Sequence, residues 1–375
     1  MISFEPTDDQ AMIRELVREF ATSELRRHAR ASDEASSTPQ ELLDASWQLG
    51  LVNGMLPEAY GGGGLDRSPI TSALVIEELG YGCASLGTAI MTPALFALPM
   101  LDFGTDAQKE HHLPLFAGER YYAASLALQE PHFSFDPAAM KTTAERNGAG
   151  WTIQGEKRGV PMGDRASQFL VIARAGEPGL RNLAAFIVAR ETPGLTIEPE
   201  VEKNLGFQSL TQTTLTLEGV ELPPEACLGA EPGASGSSGF DGARLINCLR
   251  VGGAALAVGV CRAVTELAID YAKERVAFGS PIAQKQAIAF MLAEMYSEVD
   301  TMRWMVWKAA SQLEQGLDAT RAATLADDYV SRKAMRIADN GVQVLGGHGY
   351  IRDYPMEMWF RNTRALTVIE GPVAA

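Results

Sequence analysis

Only four cysteines occur in 375 residues, and no two of them form a CxxC pair. Cys83, Cys227, Cys248 and Cys261 therefore outline neither a disulfide framework nor a thiolate zinc site. His28, His111, His112, His132 and His348 show no HExxH or related spacing that would set ligands on one helical face. The sequence predicts no metal. Positive charge is also short: 32 Lys and Arg against 47 Asp and Glu leave a net charge of −15. Nucleic-acid backbones and anionic membranes require a basic face, so neither is the expected partner. Apolar runs such as "VGGAALAVGVC" (Val251 to Cys261) fall short of the ~20 residues of a spanning helix. The opening "MISFEPTDDQ" carries acids where a secretory leader has a basic end followed by an apolar run. These absences predict a soluble, cytoplasmic, globular protein whose ligand is a small molecule.

Apolar residues make up 46% of the chain, enough for a large core in two or three packed units. Residues 1 to 120 read as helical. Thr7 and Gln10 fit a capping box, and Met12, Ile13, Leu16, Val17 and Phe20 recur at helical spacing. "PEAYGGGGLD" (Pro57 to Asp66) has no preceding strand and no following GK[ST], so it reads as a plain loop rather than a phosphate cradle. "TSALVIEELG" opens another helix, for which Gly80 is the expected stop. Residues 121 to 229 change texture. "YYAASLAL", "WTIQGEK", "QFLVIAR", "NLAAFIVAR" and "TTLTLEGVEL" are short alternating or β-branched runs separated by turn residues, predicting antiparallel strands in a barrel or sandwich. "EPGASGSSGF" (Glu231 to Phe240) reads as a hinge. Beyond it come helices carrying Leu245 to Tyr271, Ile288 to Val306, and about Ala319 to Leu345, whose broad stripes predict a bundle and an oligomer.

Two breaks interrupt this bundle. In "ERVAFGSPIAQKQ" (Glu274 to Gln286), Gly279 is placed to end one helix while Ser280 caps and Pro281 begins the next. Fresh N–H groups at such a break can seat a phosphate. Arg275, Phe278 and Gln286 flank it, although each alone is equally an ordinary surface or core residue. In "QVLGGHGYIRDYP" (Gln343 to Pro355), Gly346, Gly347 and Gly349 allow backbone amides to approach a ligand, or simply cap a helix. Finally, "ALTVIEGPVAA" (Ala365 to Ala375) sets Glu370 after Leu366, Val368 and Ile369. That carboxylate lies either at a solvated edge or in a pocket where ionisation is costly.

The string "YAKERVAFGSPIAQKQAIAFMLAEM", then "QVLGGHGYIRDYPMEMWFRNTR", then "IEGP" closely resembles the acyl-CoA dehydrogenase family. "PEAYGGGGLD", "VIEELG", "LQEP", "GWTIQGEK", "NLGFQSL" and "GVELPPEACLG" extend the resemblance over nearly the whole chain. It implies an α+β, mainly α, multidomain fold: an N-terminal all-α domain (1–120), a middle antiparallel β-barrel (121–229) and a C-terminal four-helix bundle (230–375). It also implies a homo- or hetero-tetramer, FAD, an acyl-CoA substrate and electron-transferring flavoprotein as acceptor. Glu370 matches the family's base, which takes the α-proton of the thioester as a hydride leaves the β-carbon. Gly371 and Arg250 match groups beside the thioester. Arg275, Phe278, Gln286, Gln343, Gly346 and Gly347 match residues that reach a partner's FAD, and Leu128 and Gln129 match the edge that meets the flavin. Some relatives carry the base immediately before the arginine; here that residue is Leu249, which cannot serve. An apolar pocket formed by Val368 and Ile369 would raise the Glu370 pKa by as much as ~3 units.

The sequence also departs from the family. Gln129 and Phe135 replace hydroxyl residues, Gly159 and Pro161 stand where a tryptophan and threonine shield the flavin, and Asn362 replaces an aspartate. Pro372, Val373 and Ala374 replace the usual T-[SN]-[EQ]. Main-chain groups near Leu128 and Val160 are the expected substitutes. Three readings follow: a divergent dehydrogenase, an FAD-poor subunit of a hetero-oligomer, or an oxidase or non-oxidative lyase on the same fold.

Overall fold

The computed structural model describes residues 5–132, 135–148, 150–198, 200–229 and 239–375. Most of the Gly/Ser hinge predicted at 231–240 lies outside them. Thr7 caps α1 (Asp8–Phe20) as expected: its side chain accepts from the Gln10 amide at 3.3 Å, and Gln10 returns the bond at 3.1 Å. A π-turn at Ala21–Leu25 carries α1 into α2 (Arg26–Ala35), which α3 (Gln40–Trp47) follows. Pro57 to Asp66 is a loop of short turns, consistent with its plain reading.

Next comes α4 (Pro69–Met91), with Ser68 as its cap and nearly every residue buried. It runs past Gly80 and breaks three residues later, at a kink where Cys83 takes φ −163°, ψ 112°. A Cβ at Gly80 would lie 2.2 Å from the Leu256 carbonyl, and one at Gly259 would lie 2.0 Å from that of Glu77. These glycines are notches through which α4 crosses α7 (Gly242–Glu274). Both α4 and α7 are long and apolar enough to cross a membrane, but here they are mostly buried within the protein. At their crossing Glu77 and Glu78 meet Arg262 of α7, Arg18 of α1 and Arg303, forming a buried ion network. The remaining N-terminal helices are α5 (Ala94–Phe103) and α6 (Asp106–His112).

The middle unit contains β1 (Ala124–Ala127), β2 (Thr143–Asn147), β3 (Gly150–Pro161), β4 (Gln168–Arg174), β5 (Leu183–Ala189), β6 (Leu195–Ile197) and β7 (Gln212–Leu222). The spatial order is β1-β4-β2-β3-β7-β6, with β5 also paired to β4. This corrects the expected closed antiparallel barrel. The sheet is a curled half-barrel, and β4 runs parallel to β1 and β2. Its own core includes Trp151, Phe169, Phe186 and Leu217.

After α7 the chain makes a hairpin of β8 (Val276–Ala277) and β9 (Ser280–Pro281). Phe278 and Gly279 form its tip at φ 54° and 80°. The expected helix-to-helix junction at Gly279–Ser280–Pro281 is therefore replaced by strand pairing, and α8 (Gln286–Glu314) starts only after Lys285. It is followed by α9 (Thr320–Leu345), a single turn α10 (Gly347–Tyr350) and α11 (Met356–Leu366). Gly346 ends α9 at φ 59°, ψ −131°, a conformation open to glycine alone. Residues 373–375 lie buried against α7, where the Ala375 amide donates to the Cys248 carbonyl at 3.0 Å.

Candidate active site

The segment after α11 carries Glu370 between α7 and the middle sheet. Its carboxylate is half-buried, with 24% of the side chain exposed, and Oε1 is buried without a hydrogen bond. Arg250 of α7 lies opposite, with Nε 3.5 Å from that oxygen, an ion-pair distance rather than a hydrogen bond. Loss of solvation raises the Glu370 pKa above the ordinary carboxylate range; Arg250 opposes this, and Asp136 adds to it. The predicted direction thus holds, but its apolar source differs. Val368 is 60% exposed and Ile369 alone of that pair lines the cavities around Glu370. Leu249, fully buried, packs beneath Gly371, where an added Cβ would sit 3.0 Å from its methyl. Gly371 takes φ 69°, so a side chain is excluded on both counts.

The Glu370 amide donates to Oε1 of Gln129 at 3.3 Å. The contact brings the end of β1 onto the catalytic candidate. Neighbouring acceptors are also engaged: the Leu128 carbonyl accepts from Lys157 Nζ at 3.0 Å, and the Gln129 carbonyl accepts from the Arg158 amide at 2.8 Å. Lys157 is fully buried and ion-paired to Glu130 at 3.1 Å; burial pushes its pKa down to about 8 against the pull of that carboxylate. The cavity between Gln129, Gly159 and Glu370 has a volume of about 10 Å³.

The other candidates lie apart from Glu370 in the chain and on its outside. Arg275, Gln286, Gln343, Gly346 and Gly347 are exposed, and Phe278 is 95% exposed at the hairpin tip. A Cβ on Gly346 or Gly347 would meet nothing within 4 Å, so the backbone there is open to a ligand. These outer residues are therefore accessible on the surface of the chain. The inner edge at Leu128 and Gln129 is occupied by the contacts just described. Sequence pattern missed three groups. Gln129 was read as a flavin contact and not as a partner of Glu370. Lys157 and Glu130 give no sign, since Lys157 stands between Glu156 and Arg158 in a strand of mixed polarity. Asp327 lines a cavity with Arg250 and Glu370, and its signal was an acid one turn from Ala323 and Val330 in the buried stripe of α9. Among the described residues no group of three potential ligands could hold a metal, and the four cysteines are buried and form no disulfide.

A poorly solvated carboxylate whose own backbone amide is bonded to Gln129, set between a helical core and a half-barrel, has the makings of an acid–base site. Residues 7–120, 125–220 and 242–374 match the descriptions "Acyl-CoA dehydrogenase" N-terminal, middle and C-terminal domain respectively. An acyl-CoA dehydrogenase of Bacillus subtilis is 33% identical over 368 residues, covering 97% of this chain and 95% of that protein. The butyryl-CoA dehydrogenase structure from Megasphaera elsdenii superposes with a TM-score of 0.88 at 30% identity, covering 99% of this chain and 96% of that one. A glutaryl-CoA dehydrogenase from Mycobacterium smegmatis in complex with FADH2 gives 0.85 at 25% identity, covering 98% and 92%. The chain belongs to the acyl-CoA dehydrogenase family, whose members are FAD-dependent oxidoreductases.

Proposed function

We propose that this protein carries out the α,β-dehydrogenation of an acyl-CoA thioester to the trans-2-enoyl-CoA, with Glu370 taking the α-proton. The observation that carries this reading is the buried, unbonded Oε1 of Glu370, held in place by an arginine 3.5 Å away. A weak carbon acid needs a base of raised proton affinity, and partial burial supplies it. The Glu370 amide holds the thioester oxygen in the seat that Gln129 Oε1 takes here, an oxyanion contact worth roughly 3 kcal/mol. Gly371 lets the backbone pass close to the substrate, and Arg250 steadies the base. Arg275, Phe278, Gln286, Gln343, Gly346 and Gly347 hold FAD across a subunit boundary, with Leu128 and Gln129 on its inner edge. Bound FAD supplies the acceptor for the β-hydride.

The wider reading is a cytoplasmic tetramer that passes electrons to electron-transferring flavoprotein, divided at 1–120, 121–229 and 230–375. Anaerobic addition of acyl-CoA thioesters to the purified yellow protein tests it. Bleaching by one thioester, absent in Glu370→Gln, is the expected result; bleaching retained in that variant removes Glu370 as the base.

One observation favours a second reading. The Leu128 and Gln129 carbonyls are already bonded, and the cavity beside them measures about 10 Å³. A subunit whose own flavin seat is closed, and whose exposed hairpin completes a partner's, would purify colourless and turn yellow only when co-expressed with that partner.

A further inference from the structure

Arg250 does not face Glu370 alone. Its Nη1 donates to Thr324 Oγ1 of α9 at 3.0 Å. Three residues further along α9, on the same helical face, Asp327 lines the cavity that Arg250 and Glu370 also line. That cavity has a volume of about 20 Å³, room for roughly one water, and the Arg250 and Glu370 side chains beside it are 22% and 24% exposed. Two carboxylates and one guanidinium thus line a single cavity, and three separate elements supply them.

We propose that Asp327 is a positioning residue that takes over Arg250 as Glu370 becomes neutral, and so sets the proton affinity of that base. This rests on Glu370 being the base. Before proton transfer, both carboxylates draw on Arg250 and repel each other. When Glu370 takes the α-proton, the repulsion ends, and Arg250 retains a counter-ion instead of being left charged and unpaired in a half-buried site. The charges around Asp327 act in the same sense. Burial first and the Glu370 charge second push the Asp327 pKa up to about 6, against the attraction of Arg250 and with Asp328 adding to the rise. The interaction is reciprocal: an ionised Asp327 raises the proton affinity of Glu370 as Glu370 raises that of Asp327. Asp136 of the middle unit acts on Glu370 in the same direction. Above about pH 6, then, Asp327 is ionised and Glu370 is the stronger base.

The test follows anaerobic flavin reduction from pH 5 to 9 in wild type, Asp327→Asn and Asp327→Glu, alongside infrared titration of carboxyl groups in the substrate-free holoprotein. Asp327→Asn is expected to move the acid limb of the rate profile down by about one pH unit and to slow reduction about tenfold at pH 8. Asp327→Glu restores both. In Glu370→Gln, the Asp327 titration step is expected to fall below its wild-type value, a readout that stands even where Asp327→Asn does not fold. An unmoved limb in Asp327→Asn, or an unmoved Asp327 step in Glu370→Gln, overturns the proposal. Flavin reduction that survives in Glu370→Gln overturns instead the assignment of the base, so the two failures are distinct.

Discussion

The backbone amide of Glu370 donates to the side-chain carbonyl of Gln129 at 3.3 Å, joining the end of β1 to the segment after α11. An amide carbonyl and a thioester carbonyl present similar acceptors, so Gln129 competes with substrate for one donor. Replacing Gln129 by Ala removes a competitor worth about 1 kcal/mol. Binding of a non-reactive thioether analogue of an acyl-CoA is expected to tighten about fivefold, read by its perturbation of the flavin spectrum. Weaker binding in the variant would make Gln129 a substrate contact instead.

Glu370→Gln keeps shape and hydrogen-bonding capacity but removes the base. Stopped-flow flavin reduction is expected to fall by at least ~10³-fold, at the upper range for a general base, with FAD content and analogue binding unchanged. A smaller loss, together with unchanged binding, would place the base elsewhere.

The local parts of the fold were legible, and the long-range parts were not. Thr7 caps α1 because its partner is three residues away, and Gly346 ends α9 because its dihedral angles are its own property. Gly80 is off by three residues: the helix breaks at Cys83, and what fixes Gly80 itself is the Leu256 carbonyl, far along the chain. The Gly279 region misleads in another way: Gly, Ser and Pro suit a helix junction, yet Val276 pairs with Pro281 and makes a hairpin. Strands β1, β3, β4, β5 and β7 were visible in their alternation, but nothing local shows that β4 lies between β1 and β2. At the site, Glu370 stood out because it breaks an apolar run. Asp327 did not, since an acid within an amphipathic helix is usually on its wet face.

Asp327 also leaves a mark on stability. Its pKa rises to about 6 in the folded protein, above the ordinary aspartate value of ~3.9, so the unfolded chain releases this proton first. The neutral form is therefore the favourable one for the fold. Its contribution is complete below about pH 4 and is lost as pH rises through about 6. Melting temperatures measured from pH 4 to 7.5 are expected to show Asp327→Asn gaining on wild type across this interval and holding a constant lead above it. A lead that does not change with pH would remove the titration from the explanation.

Glu78 is fully buried, and Arg262 and Arg18 hold its carboxyl below the ordinary range although burial works the other way. Replacing it by Ala removes a buried carboxylate bonded to both arginines while Arg262 keeps Glu77 at 2.9 Å, and is expected to cost about 1.5–3 kcal/mol. Urea unfolding with an unchanged m-value checks the figure. Because the network lies away from Glu370, flavin reduction per folded molecule is expected to stay near wild type.

Phe278 stands 95% exposed on a hairpin whose tip has φ 54° and 80°, a conformation that costs energy at a phenylalanine. An exposed aromatic ring held on a strained turn gains nothing for an isolated chain, which points to a use at a subunit boundary. Phe278→Ala and Arg275→Ala together are expected to lower the FAD retained through gel filtration at least fivefold. Melting temperature measured without FAD should be unchanged, because neither side chain packs into the core. Excess FAD is expected to restore the yellow colour with a weakened Kd. Full retention of FAD by the double variant would show that this turn does not reach the dinucleotide, and the outer half of the assignment would fall while that of Glu370 stood.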